Sequence, residues 1–187
     1  MAIIGLKYPV AAKYSATGAT VSYSEGKVLG EAISISTTVN STDVKLYADD
    51  DIAEQVQEFS NGTCTVNIDD ADDEVSAWLL GHEKSDDGEL TNKYTDIAPY
   101  VGMGFYGRRR KNNIESYRAI WYAKVMFKEP GDSLTTKGES IEFQTPTFEG
   151  TLSRAADGIW RRTKTFTTEA EAREWLNELA GITEDNQ

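Results

Sequence analysis

The sequence predicts a mainly β protein of the α+β kind, a β-sandwich or barrel-like fold with one flanking helix and a second helix near the C-terminus. Three observations predict it. Apolar and polar residues alternate with a period of two along much of the chain. Gly, Asn and Asp clusters punctuate that alternation at short intervals. Only two stretches carry helical spacing between capping residues. The 187 residues contain no internal repeat and no linker long enough to separate a pair of folding units, so residues 1–187 are read as a single domain.

Residues 1–20 mix small, polar and isolated apolar residues without a period, and Pro9 and Gly18 interrupt them further. They read as an extended N-terminal arm outside the core. From Val21 the pattern turns β. Ser24, Glu25, Gly26 and Lys27 have turn chemistry, and Ile33, Ile35 and Val39 recur at or near alternate positions until Asn40 and Ser41 break the run. Val44 and Leu46 resume it, and Asp49, Asp50 and Asp51 end it, because three adjacent carboxylates belong on a solvated turn. Ile52, Val56 and Phe59 suit a short helix, while Gln55, Val56 and Gln57 suit a strand; the pattern does not choose. Asn61 and Gly62 form a turn signal before the alternating Cys64, Val66 and Ile68.

The flanking helix opens on Asp69, Asp70, Asp72, Asp73 and Glu74, whose carboxylates cap free N–H groups and favour the positive end of the helix dipole. Ala71, Val75, Trp78 and Leu79 share one face, and Gly81 stops the helix. Residues 82–96 are polar and read as an exposed loop or loose hairpin. Residues 97–106 return to strand, with Gly102 and Gly104 suggesting close backbone approach. Residues 107–113 form a basic turn.

Next comes a wide hairpin over residues 117–150. Its first arm, residues 117–127, is an almost unbroken aromatic and aliphatic run; its second, residues 141–148, alternates. Pro130, Gly131 and Gly138 lie between them. Tyr117, Trp121, Tyr122 and Phe127, with Ile141 and Phe143 on the second arm, mark a core or inter-subunit strand pair. Tyr117 and Trp121 share parity and Tyr122 does not, so both faces of the first arm are apolar. Such a strand lies between two layers, or a partner buries one face. Asp157 and Gly158 turn the chain into residues 160–166. The last helix spans 168–180: Thr168 and Glu171 make a capping box, Ala172, Trp175, Leu176 and Leu179 line one face, and Gly181 ends it. Residues 182–187 read as a frayed tail.

The formal charge is −12. It argues against a nucleic-acid gripper, which needs a basic footprint. Residues 43–96 hold 16 acids against Lys45, Lys84 and Lys93, whereas residues 107–128 hold seven bases against Glu115. That split suits either a solvated surface or a matched pair of surfaces for self-association. Arg108, Arg109, Arg110 and Lys111 could touch a few phosphates, but no aromatic residue is interleaved for base stacking. An exposed turn, or a salt-sensitive contact with an acidic protein surface, fits better.

Chemistry is sparse. Cys64 is alone, which excludes an internal disulfide and a Cys-cluster zinc site, and it reads as a small buried hydrophobe. His82 is also alone, in a very acidic loop, a poor place for a desolvated and oriented base. No phosphate-cradling loop, dinucleotide fingerprint or zinc-protease motif occurs, and the acids of residues 69–74 miss the EF-hand register. No catalytic residue, cofactor or metal is expected. No apolar run reaches 18 residues, so no transmembrane helix is expected, nor does the start have a leader's cationic and apolar segments.

The order and spacing of several segments resemble the major tail proteins of long-tailed bacteriophages and prophages, of the phi13 type. Those segments are Val44-Lys45-Leu46-Tyr47-Ala48-Asp49-Asp50 with Ala53-Glu54, Leu79-Leu80-Gly81, Tyr100-Val101-Gly102-Met103-Gly104-Phe105-Tyr106, Ile120-Trp121-Tyr122-Ala123-Lys124-Val125-Met126-Phe127, and Thr136-Lys137-Gly138-Glu139-Ser140-Ile141-Glu142-Phe143-Gln144-Thr145-Pro146. Asp69-Asp70-Ala71 departs from the pattern, where a bulkier apolar residue is expected. The resemblance implies a non-enzymatic virion protein that closes into hexameric rings, stacked as a tail tube. Its implied partners are further copies of itself, the tape measure protein, and tail terminator and baseplate proteins; DNA passes without specific binding, and no membrane is involved. On that reading Arg108, Arg109, Arg110 and Lys111 face Asp49, Asp50, Asp51, Asp69 and Asp70 across stacked rings. The other readings are a monomeric β-sandwich that binds a host surface or carbohydrate, and a tube protein of the type VI secretion kind.

Overall fold

A computed structural model describes residues 3–48, 51–131 and 145–183. The chain runs β1 (Ile3–Thr17), β2 (Thr20–Val28), β3 (Ala32–Ala48), β4 (Asp51–Ile68), α1 (Asp73–Leu80), β5 (Glu83–Lys84), β6 (Leu90–Thr91), β7 (Tyr100–Lys111), β8 (Ile114–Phe127), β9 (Thr147–Ser153), β10 (Arg161–Phe166) and α2 (Glu169–Ala180). It is a mainly β α+β fold. One large antiparallel sheet has the order β2-β1-β7-β8-β9-β4-β3, with β10 also on β8, and β5 pairs with β6 apart from it.

The sheet divides at β8. Residues 117–122 of β8 pair with β10, and residues 124–127 pair with β9. Beyond β9 the sheet curls, so that Ala11 of β1, Met103 of β7, Tyr122 and Phe127 of β8, Phe148 of β9 and Val66 of β4 meet in one apolar core. α1 packs there through Leu79 and Leu80. A second core lies on the other face of β1, β7 and β8, where Val10, Ala12, Tyr106, Ala119 and Trp121 meet Ala172, Leu176 and Ala180 of α2. The alternation of Ala11 against Val10 and Ala12, and of Tyr122 against Trp121, is the period-two pleat at work.

Close approach explains the glycines of β7. A Cβ on Gly104 would stand 2.6 Å from both Leu176 Cδ2 and Trp121 Cε3, and one on Gly102 would stand 2.4 Å from Trp121 Cζ2. The indole therefore lies flat on bare backbone, which only glycine permits.

Helix ends follow their sequence signals. Asp72 caps α1 by accepting from Glu74 N at 3.0 Å, and Gly81 ends it with φ 81°. Thr168 and Glu171 exchange the capping-box bonds of α2: Glu171 N donates to Thr168 Oγ1 at 3.3 Å, and Thr168 N donates to Glu171 Oε2 at 3.1 Å.

Several expectations are corrected. Residues 3–17 are not an arm outside the core: β1 is an interior strand between β2 and β7, and Pro9, Val10, Ala11 and Ala12 are buried. Small residues are required there because α2 and the central core press on the two faces. Asn61 and Gly62 do not turn the chain, and Asn40 and Ser41 do not end a strand. They form one bulge, where Asn40 pairs with Asn61 and Ser41 with Phe59, leaving Ser60 over. Glu25, with φ 52°, and Gly26 are likewise a bulge against β1, between the pairs Lys13↔Ser24 and Ala11↔Lys27. Residues 52–59 are strand. The basic segment continues β7 to Lys111, and the turn is Asn112 and Asn113, both left-handed at φ 51° and 63°. Ile182 is buried on α2 rather than frayed, its N–H donating to Asn177 O at 2.9 Å.

Candidate functional site

The described surface offers three features with chemical content: a ribbon that leaves the sheet, charges gathered at opposite ends, and a histidine held between two carboxylates.

The ribbon is the outer portion of β3 and β4. The two strands pair continuously from Ala32↔Ile68 to Ala48↔Asp51, but β9 covers β4 only from Gly62 to Asn67. Near the bulge the ribbon is anchored: Phe59 stacks on Trp160 at 4.5 Å, and the Tyr122 hydroxyl donates to Thr37 Oγ1 at 3.1 Å. Past it no third strand pairs with the described residues. Val44 and Val56 stand opposite each other across the ladder, 61% and 49% exposed. A two-stranded ribbon with apolar groups in water is marginal alone.

The ladders also fix directions. β8 is antiparallel to β9 and β9 to β4, so β4 and β8 run the same way. The start of β8 and the start of β4 therefore lie toward one end of the molecule. The segment after β4 lies toward the other. Arg108, Arg109, Arg110 and Lys111 are at the first end, with Arg108 3.5 Å from Glu115 and Arg110 donating to Asn113 at 3.2 Å. Asp51 opens β4 at that same end; Asp49 and Asp50 lie outside the described residues. Asp69 and Asp70 are at the opposite end. Asp69 also has a local task, accepting from Glu31 N at 2.8 Å while its own N–H donates to Glu31 O at 3.0 Å. Glu74, next along, pairs with Lys27.

Of the aromatic strand, Trp121, Tyr122 and Phe127 are buried inside the chain itself, and Tyr117 is half-buried beside α2. The central core covers one face of β8, and α2 packs on the other at Tyr117, Ala119 and Trp121. Ile141 and Phe143 lie outside the described residues, and the second arm of the hairpin is β9, which starts at Thr147.

His82 differs from its expectation. Its side chain is only 7% exposed, with Nδ1 2.8 Å from Asp96 Oδ2 and Nε2 2.7 Å from Glu129 Oε2. It is both desolvated and oriented. No local motif announces this, because the partners are 14 and 47 residues away. Both ring nitrogens are engaged by carboxylates, so neither is open to a substrate proton. Cys64 is buried in the central core, and burial pushes its thiol up to about 12, which leaves it protonated and unreactive. Among the described residues no group of His, Cys, Asp and Glu is arranged to hold a metal ion.

No protein-family model and no curated protein matches the chain.

A groove of about 310 Å³ runs between the start of β1 and α2, lined by Ile4, Leu6, Tyr106, Tyr117 and Glu169. Its polar groups satisfy one another: Glu169 accepts from the Tyr106 hydroxyl at 2.7 Å and from Lys7 Nζ at 3.0 Å. Those bonds, with Tyr106 first and Lys7 next, hold the Glu169 carboxyl below its ordinary range. The arrangement ties β1 and β7 to the start of α2.

Proposed function

We propose that this protein is a structural subunit that associates with copies of itself into stacked rings, forming a tube of the phage-tail kind. The observation that carries the reading is the β3–β4 ribbon, which projects Val44 and Val56 past the end of β9, with no third strand on them among the described residues. Further copies of the chain would supply the missing cover. Rings closed by such contacts also remove free strand edges, and β3, β2 and β10 each pair on one side only among the described residues.

Charge placement supports a head-to-tail order. The basic group 108–111 and the acidic segment 69–74 lie at opposite ends, so one copy's base can meet the next copy's acid in a growing stack. Asp51 shares an end with the basic group. The tube reading, with passage of DNA through an acidic lumen and enclosure of a tape measure protein, extends the sequence resemblance.

Negative-stain microscopy of purified protein tests it, alongside a variant in which Asn-Gly joins Ser41 to Phe59 in place of residues 42–58. The intact chain is expected to give rings or tubes, and the shortened one folded monomers that still unfold cooperatively. Dispersed monomers from both, across a wide concentration range, overturn the proposal and favour a monomeric binding module.

A further inference from the structure

The chain has a single histidine, and carboxylates from two separate segments grip its ring. His82 follows the glycine that ends α1, with its amide donating to Ala77 O at 3.0 Å. Asp96 closes the loop that carries β5 and β6, and Glu129 lies just past β8. A neutral imidazole has one N–H and one lone pair, so it can donate to one carboxylate while setting its lone pair against the other. Only the imidazolium donates to both.

We propose that His82, Asp96 and Glu129 form a proton-operated clasp, which fastens the 83–96 loop to the end of β8 and releases it when the imidazole loses its proton. Two further bonds support it: within the loop Lys93 N donates to Asp96 Oδ2 at 2.9 Å, and across the seam Asn92 Nδ2 donates to Glu129 Oε1 at 3.0 Å. Asp96 and Glu129 contact the ring, Lys93 and Tyr94 of the loop line the cleft beside it, and α1 contributes Leu80. Lys93 is drawn away to Glu83. The loop and its base carry Tyr94 and Ile97, both very exposed, so the clasp decides whether they are displayed in a fixed position.

Burial is the largest single influence on the imidazole and opposes its charge. The hydrogen bonds from Asp96 and Glu129, and their charges, together outweigh it and hold the pKa above the ordinary value. Asp96 is held below the ordinary carboxyl range, by the Lys93 amide first and His82 next, so it stays ionised throughout. A raised folded-state pKa means the clasp is fully closed below about pH 6.5 and opens as the pH rises through the folded value.

The clasp stands whether or not the chain builds tubes. Hydrogen exchange read by mass spectrometry from about pH 5 to about pH 9, corrected for intrinsic rates, tests it on the intact chain. Peptides within 83–96 are expected to lose about tenfold or more in protection across that range, while β7 and β8 peptides hold theirs. His82→Gln should be weakly protected at every pH. Glu129→Gln, at a half-exposed position, keeps one partner and should move the transition to lower pH. Identical profiles for the intact chain and His82→Gln overturn the clasp. Should His82→Gln not fold, an unshifted Glu129→Gln transition overturns it.

Discussion

The β3–β4 ribbon and the β7–β8 hairpin are both long antiparallel pairs whose tips lie toward the same end of the molecule, yet they are held in place by different forces. β7 and β8 have strand neighbours on each side, in β1, β9 and β10, and cores on both faces. Their packed side chains are aromatic and aliphatic, with glycine where the Trp121 indole meets the backbone. The ribbon has one neighbour near its base, and residues 41–45 and 54–58 of its outer part are Ser, Thr, Asp, Lys, Gln, Glu and exposed Val. The hydrogen-bonded ladder is equally complete in both. The ladder therefore does not set stability here; what is packed above and below it does. A strand pair that completes its ladder without completing its burial is prepared for a further surface.

Trp121 carries the packing that the ribbon lacks. Its indole is fully buried, faces Tyr23 edge-on at 5.1 Å, and lies against the bare backbone of Gly102 and Gly104. Trp121→Ala should cost about 3–5 kcal/mol, because the rigid sheet and α2 cannot collapse into the void. That is a large share of an ordinary domain's stability. Urea unfolding in the unassociated state measures it, as a lower midpoint at unchanged slope. A loss as small as that of a surface change would mean that α2 is not held by this core.

The basic tip comes next. Arg108→Glu with Arg110→Glu reverses charge at one end while leaving both cores untouched. Folding should change by no more than about 0.5 kcal/mol, since both groups are exposed, Arg108 in a loose ion pair with Glu115 and Arg110 in a hydrogen bond to Asn113. Assembly, followed by sedimentation, should weaken strongly at low salt and much less at high salt, where the contact is already screened. Unchanged assembly at low salt would remove the tip from the stacking contact and leave association to the ribbon.

Sequence reasoning reaches the fold class, both helices with their caps, the two-faced character of β8 and the close approach at Gly102 and Gly104. These are local or periodic signals. It misplaces residues 3–17 because a strand pressed between a core and a helix is selected for small side chains, and Pro9-Val10-Ala11-Ala12 has no alternation to detect. It mistakes Asn61-Gly62 and Glu25-Gly26 for turns because turn and bulge use the same left-handed or crowded backbone chemistry; only pairing beyond the segment tells them apart. Val44 and Val56 are visible as alternation, but alternation predicts a buried face, and their exposure depends on where β9 ends. The His82 clasp needs three dimensions outright, since Asp96 and Glu129 are ordinary loop acids until the fold sets them on either side of one ring.

The smallest change sharpens the comparison most. Val44→Thr with Val56→Thr keeps shape and strand preference on a cross-strand pair that is largely in water. The unassociated subunit should lose less than about 0.5 kcal/mol in urea unfolding. Covering the exposed half of each valine in an assembly is worth about 0.7 kcal/mol. Losing both contributions shifts association by about tenfold, seen as a matching rise in the concentration at which rings or tubes first sediment. If the ribbon instead folds back and buries these valines within its own subunit, the order reverses: folding falls by more than about 1 kcal/mol and the threshold for assembly stays where it was.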